Sequence, residues 1–189
     1  MPGKIILLNG ASSSGKSTLA LALQDQLPLP FWHYSIDHFR VARVLPWSRI
    51  DSGEFAWRQL REPFFEGFHS SIAAFAGSGN NLVVEHIVET PEWMNRLLLM
   101  LKDFDVFFVG DHCPLDELER RERQRGDRAM GEARADFEVV HTLGVYDFEC
   151  SSIGSVGSVA AGVVAAWSKR PVPSAFTRML GSRTQNSKA

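Results

Sequence analysis

Nine residues near the N-terminus, Gly10-Ala11-Ser12-Ser13-Ser14-Gly15-Lys16-Ser17-Thr18, satisfy G-x-x-x-x-G-K-[ST] at every fixed position and stand directly behind the apolar run Ile5-Ile6-Leu7-Leu8. A Walker A loop of this kind turns consecutive backbone N–H groups inward around a phosphate, and the helix behind it offers a positive end. Its glycines permit the tight turn and the close approach of backbone to ligand. In that reading the loop binds ATP, Lys16 reaches the β- and γ-phosphates, and the Ser17 hydroxyl sits on Mg²⁺. The pattern alone also occurs by accident, so the context decides: a buried strand must precede it and a helix must follow. Thr18 to Leu27 is a run of good helix formers ending at Pro28, so both conditions are met.

A phosphate loop implies a nucleotide without saying what becomes of it, and three further features favour phosphoryl transfer to a small molecule. The first is Asp37. A hydroxyl attacking the γ-phosphorus needs its proton removed and its oxygen aimed, and a carboxylate beside the loop can do both. The plainer alternative is an aspartate that starts a turn or caps the next helix. The second feature is the cluster Arg120, Arg121, Arg123, Arg125 and Arg128, broken at Gly126-Asp127. Arginines on a hinged cover, a lid over about residues 118–135, can neutralise charge on a transferring phosphoryl group; the alternative is a solvated helix face of i,i+4 pairs. The third is the aromatic stretch from Phe31 to Phe68, with Phe31, Trp32, Tyr34, Phe39, Trp47, Phe55, Trp57, Phe64, Phe65 and Phe68. It suits a largely apolar acceptor, with the pocket over about residues 37–68, although most such rings are core. Glu85, near the end of a third strand, is a candidate to orient water on Mg²⁺. The six histidines make no H-E-x-x-H or similar spacing, so no zinc site is expected.

Those residues need a sheet to place them. Lys4–Asn9 reads as a first strand buried on both faces, as in a parallel sheet. Phe31 to Ile36 is a second strand, with Asp37 at its carboxyl end, where open α/β sheets hold their ligands. A mostly helical stretch runs from Phe55 to Ala76, interrupted or restarted near Pro63. Leu82–Ile87 makes strand three, Asp105–Val109 strand four and Phe148–Cys150 strand five. Helices lie between them, and Thr90 is the N-cap and Pro91 the first residue of one. This alternation predicts a three-layer α/β domain over residues 1–170, with a mainly parallel sheet of about five strands flanked by helices. Residues 171–189, polar and proline-started, read as a C-terminal tail that is loose beyond Leu180.

Bulk properties narrow the partners. With 189 residues the chain suits one domain, and 20 basic against 22 acidic residues give a formal charge of −2, with no overall field for nucleic acid or an anionic membrane. The two cysteines, Cys113 and Cys150, are far apart and out of metal-ligand spacing, which fits a reducing compartment, so a cytoplasmic location is expected. The four aliphatic residues before Asn9 are too few for a signal peptide or a membrane span.

Together, the loop after Ile-Ile-Leu-Leu-Asn-Gly, the Ser35-Ile-Asp37 strand end, Arg125-Gly-Asp-Arg128, Val139-Val-His141 and Tyr146-Asp147 resemble chloramphenicol phosphotransferase and its relatives over most of residues 4–168. The resemblance implies a P-loop kinase-like fold, ATP-dependent phosphorylation of an alcohol, Asp37 as the base, and Arg125 and Arg128 as lid contacts to phosphate. The chain has Glu85-His86 where that family has Asp-Asp, and Ser151-Ser152 where it has Asp-Thr. The leading expectation is a small-molecule O-phosphotransferase acting on an amphenicol-like antibiotic. A kinase of a sugar acid or nucleoside, held by Arg40, Arg43 or Arg49, is the second reading. A nucleotide-binding switch is the third.

Overall fold

A computed structural model of the protein describes residues 1–125 and 130–186. Five parallel strands, β1 (Lys4–Asn9), β2 (Phe31–Ser35), β3 (Asn81–His86), β4 (Asp105–His112) and β5 (Phe148–Ser151), form one sheet in the order β2-β3-β1-β4-β5. Strand β1 is thus central, and Ile5, Ile6, Leu7 and Leu8 are all 0 % exposed, the signature of a strand covered on both faces.

Alternate residues feed two cores. Ile6, Leu8, Val83, Phe107 and Val109 pack under α1 (Lys16–Gln26) and α8 (Val156–Ser168), where Phe31 meets Trp167 edge-on at 5.6 Å. Ile5, Leu7, Leu82, Val84, Val106 and Phe108 pack under α4 (Trp57–Gly77), α5 (Pro91–Met100) and α9 (Ala175–Asn186). The chain also forms α2 (Ile36–Val41), α3 (Trp47–Asp51), α6 (Leu115–Arg125) and α7 (Glu132–Val139). Helix α5 begins as its sequence dictates, with Thr90 accepting from the Trp93 N–H at 3.2 Å and Pro91 at the first position.

Two segments depart from the sequence expectation. Helix α4 runs unbroken through Pro63. Pro63 is exposed, so water can hydrate the carbonyl it leaves without a partner, while Phe68, His69, Ile72 and Ala76 anchor the remaining turns in the core. The tail expected to be loose instead forms α9 through Asn186. Its first turn is held by Asp147, whose carboxylate accepts from Ala175 N–H at 2.6 Å and from Phe108 N–H at 3.0 Å. Ala175, Phe176 and Met179 are buried, and Phe176 meets Phe108 edge-on at 5.1 Å. The polar composition of the tail concealed a narrow apolar stripe.

That docking predicts a measurable cost. Phe176→Ala should destabilise the protein by about 3 kcal/mol, the lower end for a buried Phe→Ala change, in urea unfolding. A variant as stable as the wild type would mean that α9 rests on the sheet without contributing to its stability.

Candidate active site

Beyond the carboxyl ends of the strands lies a cavity of about 620 Å³, bordered by the phosphate loop, Asp37, Glu85, Arg121, Arg125 and Ser152. The loop runs from β1 into α1, and the first-turn N–H groups of Ser17 and Thr18, which the helix cannot bond itself, belong to this edge. Gly15 serves as N-cap with φ 118° and Ser13 also takes a positive φ, 66°. Only glycine adopts such angles without strain, so Ser13 must be held there from outside.

Three side chains from distant elements hold the loop. Asp111, at the end of β4 and 0 % exposed, accepts from Ser14 Oγ at 2.7 Å and also from Ser152 Oγ, which it ties to the loop from below. Arg121 of α6, ion-paired with Glu117 at 2.6 Å, donates to the carbonyls of Ser13, Ser14 and Ser152. Asp136 of α7 accepts from the Ser12 N–H at 2.9 Å. Lys16 Nζ lies inside the loop on the carbonyls of Gly10 and Ala11, at 2.8 and 2.7 Å, and 3.4 Å from Ser14 Oγ. Ser14 therefore links the ammonium to the buried carboxylate of Asp111.

Ser17 Oγ donates to Glu85 Oε2 at 2.8 Å, so the two residues expected near a metal are neighbours. The other oxygen, Oε1, is bonded to His33 Nε2. Burial pushes the Glu85 carboxyl up, but the hydrogen bonds from His33 and Ser17, with the positive charge of Lys16, hold it below the usual range. His86, the next residue, turns to the opposite face of the sheet. There its Nε2 meets His69 Nε2 at 2.6 Å among Phe65, Phe68 and Trp93. Burial lowers both histidines, His69 to about 4, so both stay neutral and one donates to the other.

Asp37 stands in the first turn of α2 and borders the same cavity as Lys16. Ser35 is the N-cap, its Oγ accepting from the Asp37 N–H at 3.3 Å, so the helix does not draw on the Asp37 side chain for its cap. Arg125, the last residue of α6, also borders the cavity, whereas Arg128 lies outside the described residues. The root of this segment is fixed by Glu122, 5 % exposed, whose carboxylate accepts from Ala133 N–H at 2.8 Å and Gly131 N–H at 3.0 Å. None of the ten rings between Phe31 and Phe68 borders the cavity; Phe31 and Phe68 are core and Trp32 is 59 % exposed on the edge strand. Five others form a half-buried chain of contacts from Tyr34 through Phe39, Phe64 and Trp57 to Trp47, while Phe65 stacks on Trp93 and Phe55 lies under Arg49.

Asp111, Asp136 and His33 were not singled out by sequence reasoning, and Ser152 stood out only as a departure from the family pattern. For Asp111 a signal existed: Val106 to Val109 followed by Gly110-Asp111 is an apolar run ending in a carboxylate, the pattern that marked Asp37. The block Val139–Asp147 carries structure as much as chemistry. Asn9 Nδ2 donates to Val140 O at 2.8 Å and to Tyr146 Oη at 2.9 Å, and Tyr146 Oη lies 2.7 Å from His141 Nδ1.

Residues 3–168 match the family described as chloramphenicol phosphotransferase-like protein. The chain belongs to that family. Two Mycobacterium tuberculosis strains carry a relative named "Putative O-phosphotransferase", 33 % identical over 94 % of this chain and 88 % of the relative. Among solved structures, the Mycobacterium tuberculosis APS kinase CysC bound to AMPPNP and APS superposes with a TM-score of 0.65 at 20 % identity, covering 88 % of this chain and 98 % of that one. A gluconokinase from Sinorhizobium meliloti superposes at 0.60 with 18 % identity, covering 89 % and 93 %. The fold is that of the P-loop kinases, and family membership makes the chain an ATP-dependent phosphotransferase. No described helix is long and apolar enough to cross a membrane.

In this chloramphenicol phosphotransferase-like protein the contact between Asp111 and Ser14 is the one most exposed to test. Asp111→Asn replaces one hydroxyl acceptor by a donor at a fully buried position, at a cost of about 1–3 kcal/mol in unfolding. Nucleotide affinity should fall with it, read by calorimetric titration with ADP. Unchanged affinity would show that the loop keeps its shape without the buried carboxylate.

Proposed function

We propose that the protein transfers the γ-phosphoryl group of ATP to a hydroxyl of a small neutral alcohol, with chloramphenicol or a similar antibiotic as the candidate acceptor. The observation that carries this is that Lys16 and Ser17 of α1, Asp37 of α2 and Arg125 of α6 border one cavity although they come from three places in the chain. The acceptor oxygen attacks the γ-phosphorus, the bond to the bridging oxygen of ADP breaks, and the hydroxyl proton passes to Asp37. Lys16 leaves the loop carbonyls on its flexible stem to answer charge on the phosphates. Arg125, on the rim of the cavity beyond the anchored Arg121 and Glu122, answers the same charge, with Arg128 as its proposed companion in that role.

The residues present fit Mg²⁺. Ser17 and Glu85 offer a hydroxyl and a carboxylate oxygen 2.8 Å apart, hard donors suited to an ion that keeps much of its water. Ser17 and Glu85 would hold the ion there with the nucleotide, and it would supply charge neutralisation.

Neutrality of the acceptor is argued from the arginines that an anionic one would need. Arg49 is paired with Glu54, Arg61 with Glu89 at 2.6 Å and Arg96 with Glu62 at 2.5 Å. Arg40 lies 5.0 Å over the Trp47 ring. None of the three candidate arginines, Arg40, Arg43 and Arg49, borders the cavity, which favours a neutral antibiotic over a sugar acid. A switch that hydrolyses slowly or not at all would make no use of a carboxylate that borders the same cavity as Lys16.

Asp37→Asn keeps the shape and removes the basic oxygen, so single-turnover phosphorylation should slow by about 10²- to 10⁴-fold while ATP affinity hardly moves. Lys16→Ala should nearly abolish turnover in a protein that still folds. Equal rates for wild type and Asp37→Asn would remove Asp37 from the reaction and leave Glu85 as the base to examine.

A further inference from the structure

Glu85 is a buried carboxylate with a different partner on each oxygen. Ser17 Oγ donates to Oε2 at 2.8 Å from the start of α1, and His33 Nε2 meets Oε1 from β2. The two side chains in the latter pair are only 12 % and 7 % exposed. A carboxylate at this position accepts and does not donate, so the bond requires the proton on His33 Nε2. The His33 ring is in turn set by His38, which packs edge-on against it with centroids 4.6 Å apart. The sheet makes the reach natural: Ser35 pairs with Glu85, and His33 lies two residues back on the same face of the neighbouring strand.

The terminal torsion of a glutamate is broad, so a carboxylate held at one oxygen alone can rotate. Held at both, its plane is fixed and its second oxygen must face Ser17. We infer that His33 is a positioning residue: it locks the Glu85 carboxylate so that Oε2 is presented to Ser17 and to the divalent cation beside it. This rests on the placement of Mg²⁺ at Ser17 and Glu85 proposed above. His33 touches neither nucleotide nor acceptor in this arrangement; it acts through Glu85, as outer partners of metal-facing carboxylates do.

The test is nucleotide binding with Mg²⁺ titrated, which needs no turnover. ADP affinity is measured by calorimetry across Mg²⁺ concentrations and in EDTA, for wild type, His33→Phe, His33→Gln and Glu85→Ala, and for His33→Phe combined with Glu85→Ala. His33→Phe keeps a ring and loses the donor, so it should need about 10- to 100-fold more Mg²⁺ for half-maximal tightening, the usual cost of losing an outer partner. Its affinity in EDTA should stay at the wild-type value. His33→Gln, which restores an N–H donor, should recover part of the loss, and it also serves where the phenylalanine variant does not fold. In the Glu85→Ala background, His33→Phe should add nothing.

Four results would overturn the inference. A folded His33→Phe with the wild-type Mg²⁺ requirement would show that Glu85 orients itself. A loss equally large in EDTA would show general damage to the loop. A full effect persisting in the Glu85→Ala background would show that His33 acts elsewhere. A wild type whose ADP affinity ignores Mg²⁺ would overturn the cation placement, and this inference with it, whereas a Mg²⁺-dependent wild type beside an indifferent His33→Phe overturns this inference alone.

Discussion

A backbone that turns its N–H groups inward around a phosphate must turn carbonyls outward and accept unfavourable angles, and here it does both within a few residues. Ser13 and Gly15 take positive φ, and the carbonyls of Ser13 and Ser14 face away from the turn toward Arg121. Nothing in the loop could maintain that shape alone. It is maintained by Asp111 from β4, Arg121 from α6 and Asp136 from α7, and their positions depend on the sheet order that puts β1 between β3 and β4. The apolar burial that assembles the sheet and the polar contacts that shape the loop are thus one structure.

The same contacts divide the site into a fixed floor and a roof built from separate pieces. On the floor, Asp111 and Arg121 both grip Ser14 and Ser152, so the phosphate loop and the turn after β5 behave as one unit. Glu122 ties the last turn of α6 to the start of α7, leaving Arg125 at the edge of the cavity. The opposite wall is formed by the start of α2, with Ser35, Ile36 and Asp37, while the half-buried rings of α2 to α4 pack on one another without bordering the cavity. A loop held in this way presents its inward N–H groups at a preset geometry.

The fold was legible because its signals are local and periodic. The unbroken aliphatic run of β1, the phosphate-loop pattern and the Thr90-Pro91 helix start each follow from a few adjacent residues. What stayed hidden depends on residues far apart in sequence. Asp111 and Ser14, His33 and Glu85, and Asp136 and Ser12 meet only once the sheet is folded. The α9 stripe of Ala175, Phe176 and Met179 was masked by polar neighbours, and Pro63 was read as a break because its exposure could not be seen. The pair Glu85-His86 was legible as a departure from the family, yet its division into one residue for the site and one for the core required the strand's alternation.

The central claim is that a γ-phosphoryl group held by this loop passes to an alcohol. The direct measurement is mass spectrometry of the wild-type protein incubated with MgATP and a library of neutral alcohols that includes chloramphenicol, with ADP quantified in parallel. The account predicts one or more phosphorylated alcohols, formed together in equal amount to the ADP released. Nucleotide binding with no phosphorylated alcohol, or ADP release that is the same with and without the library, would contradict it.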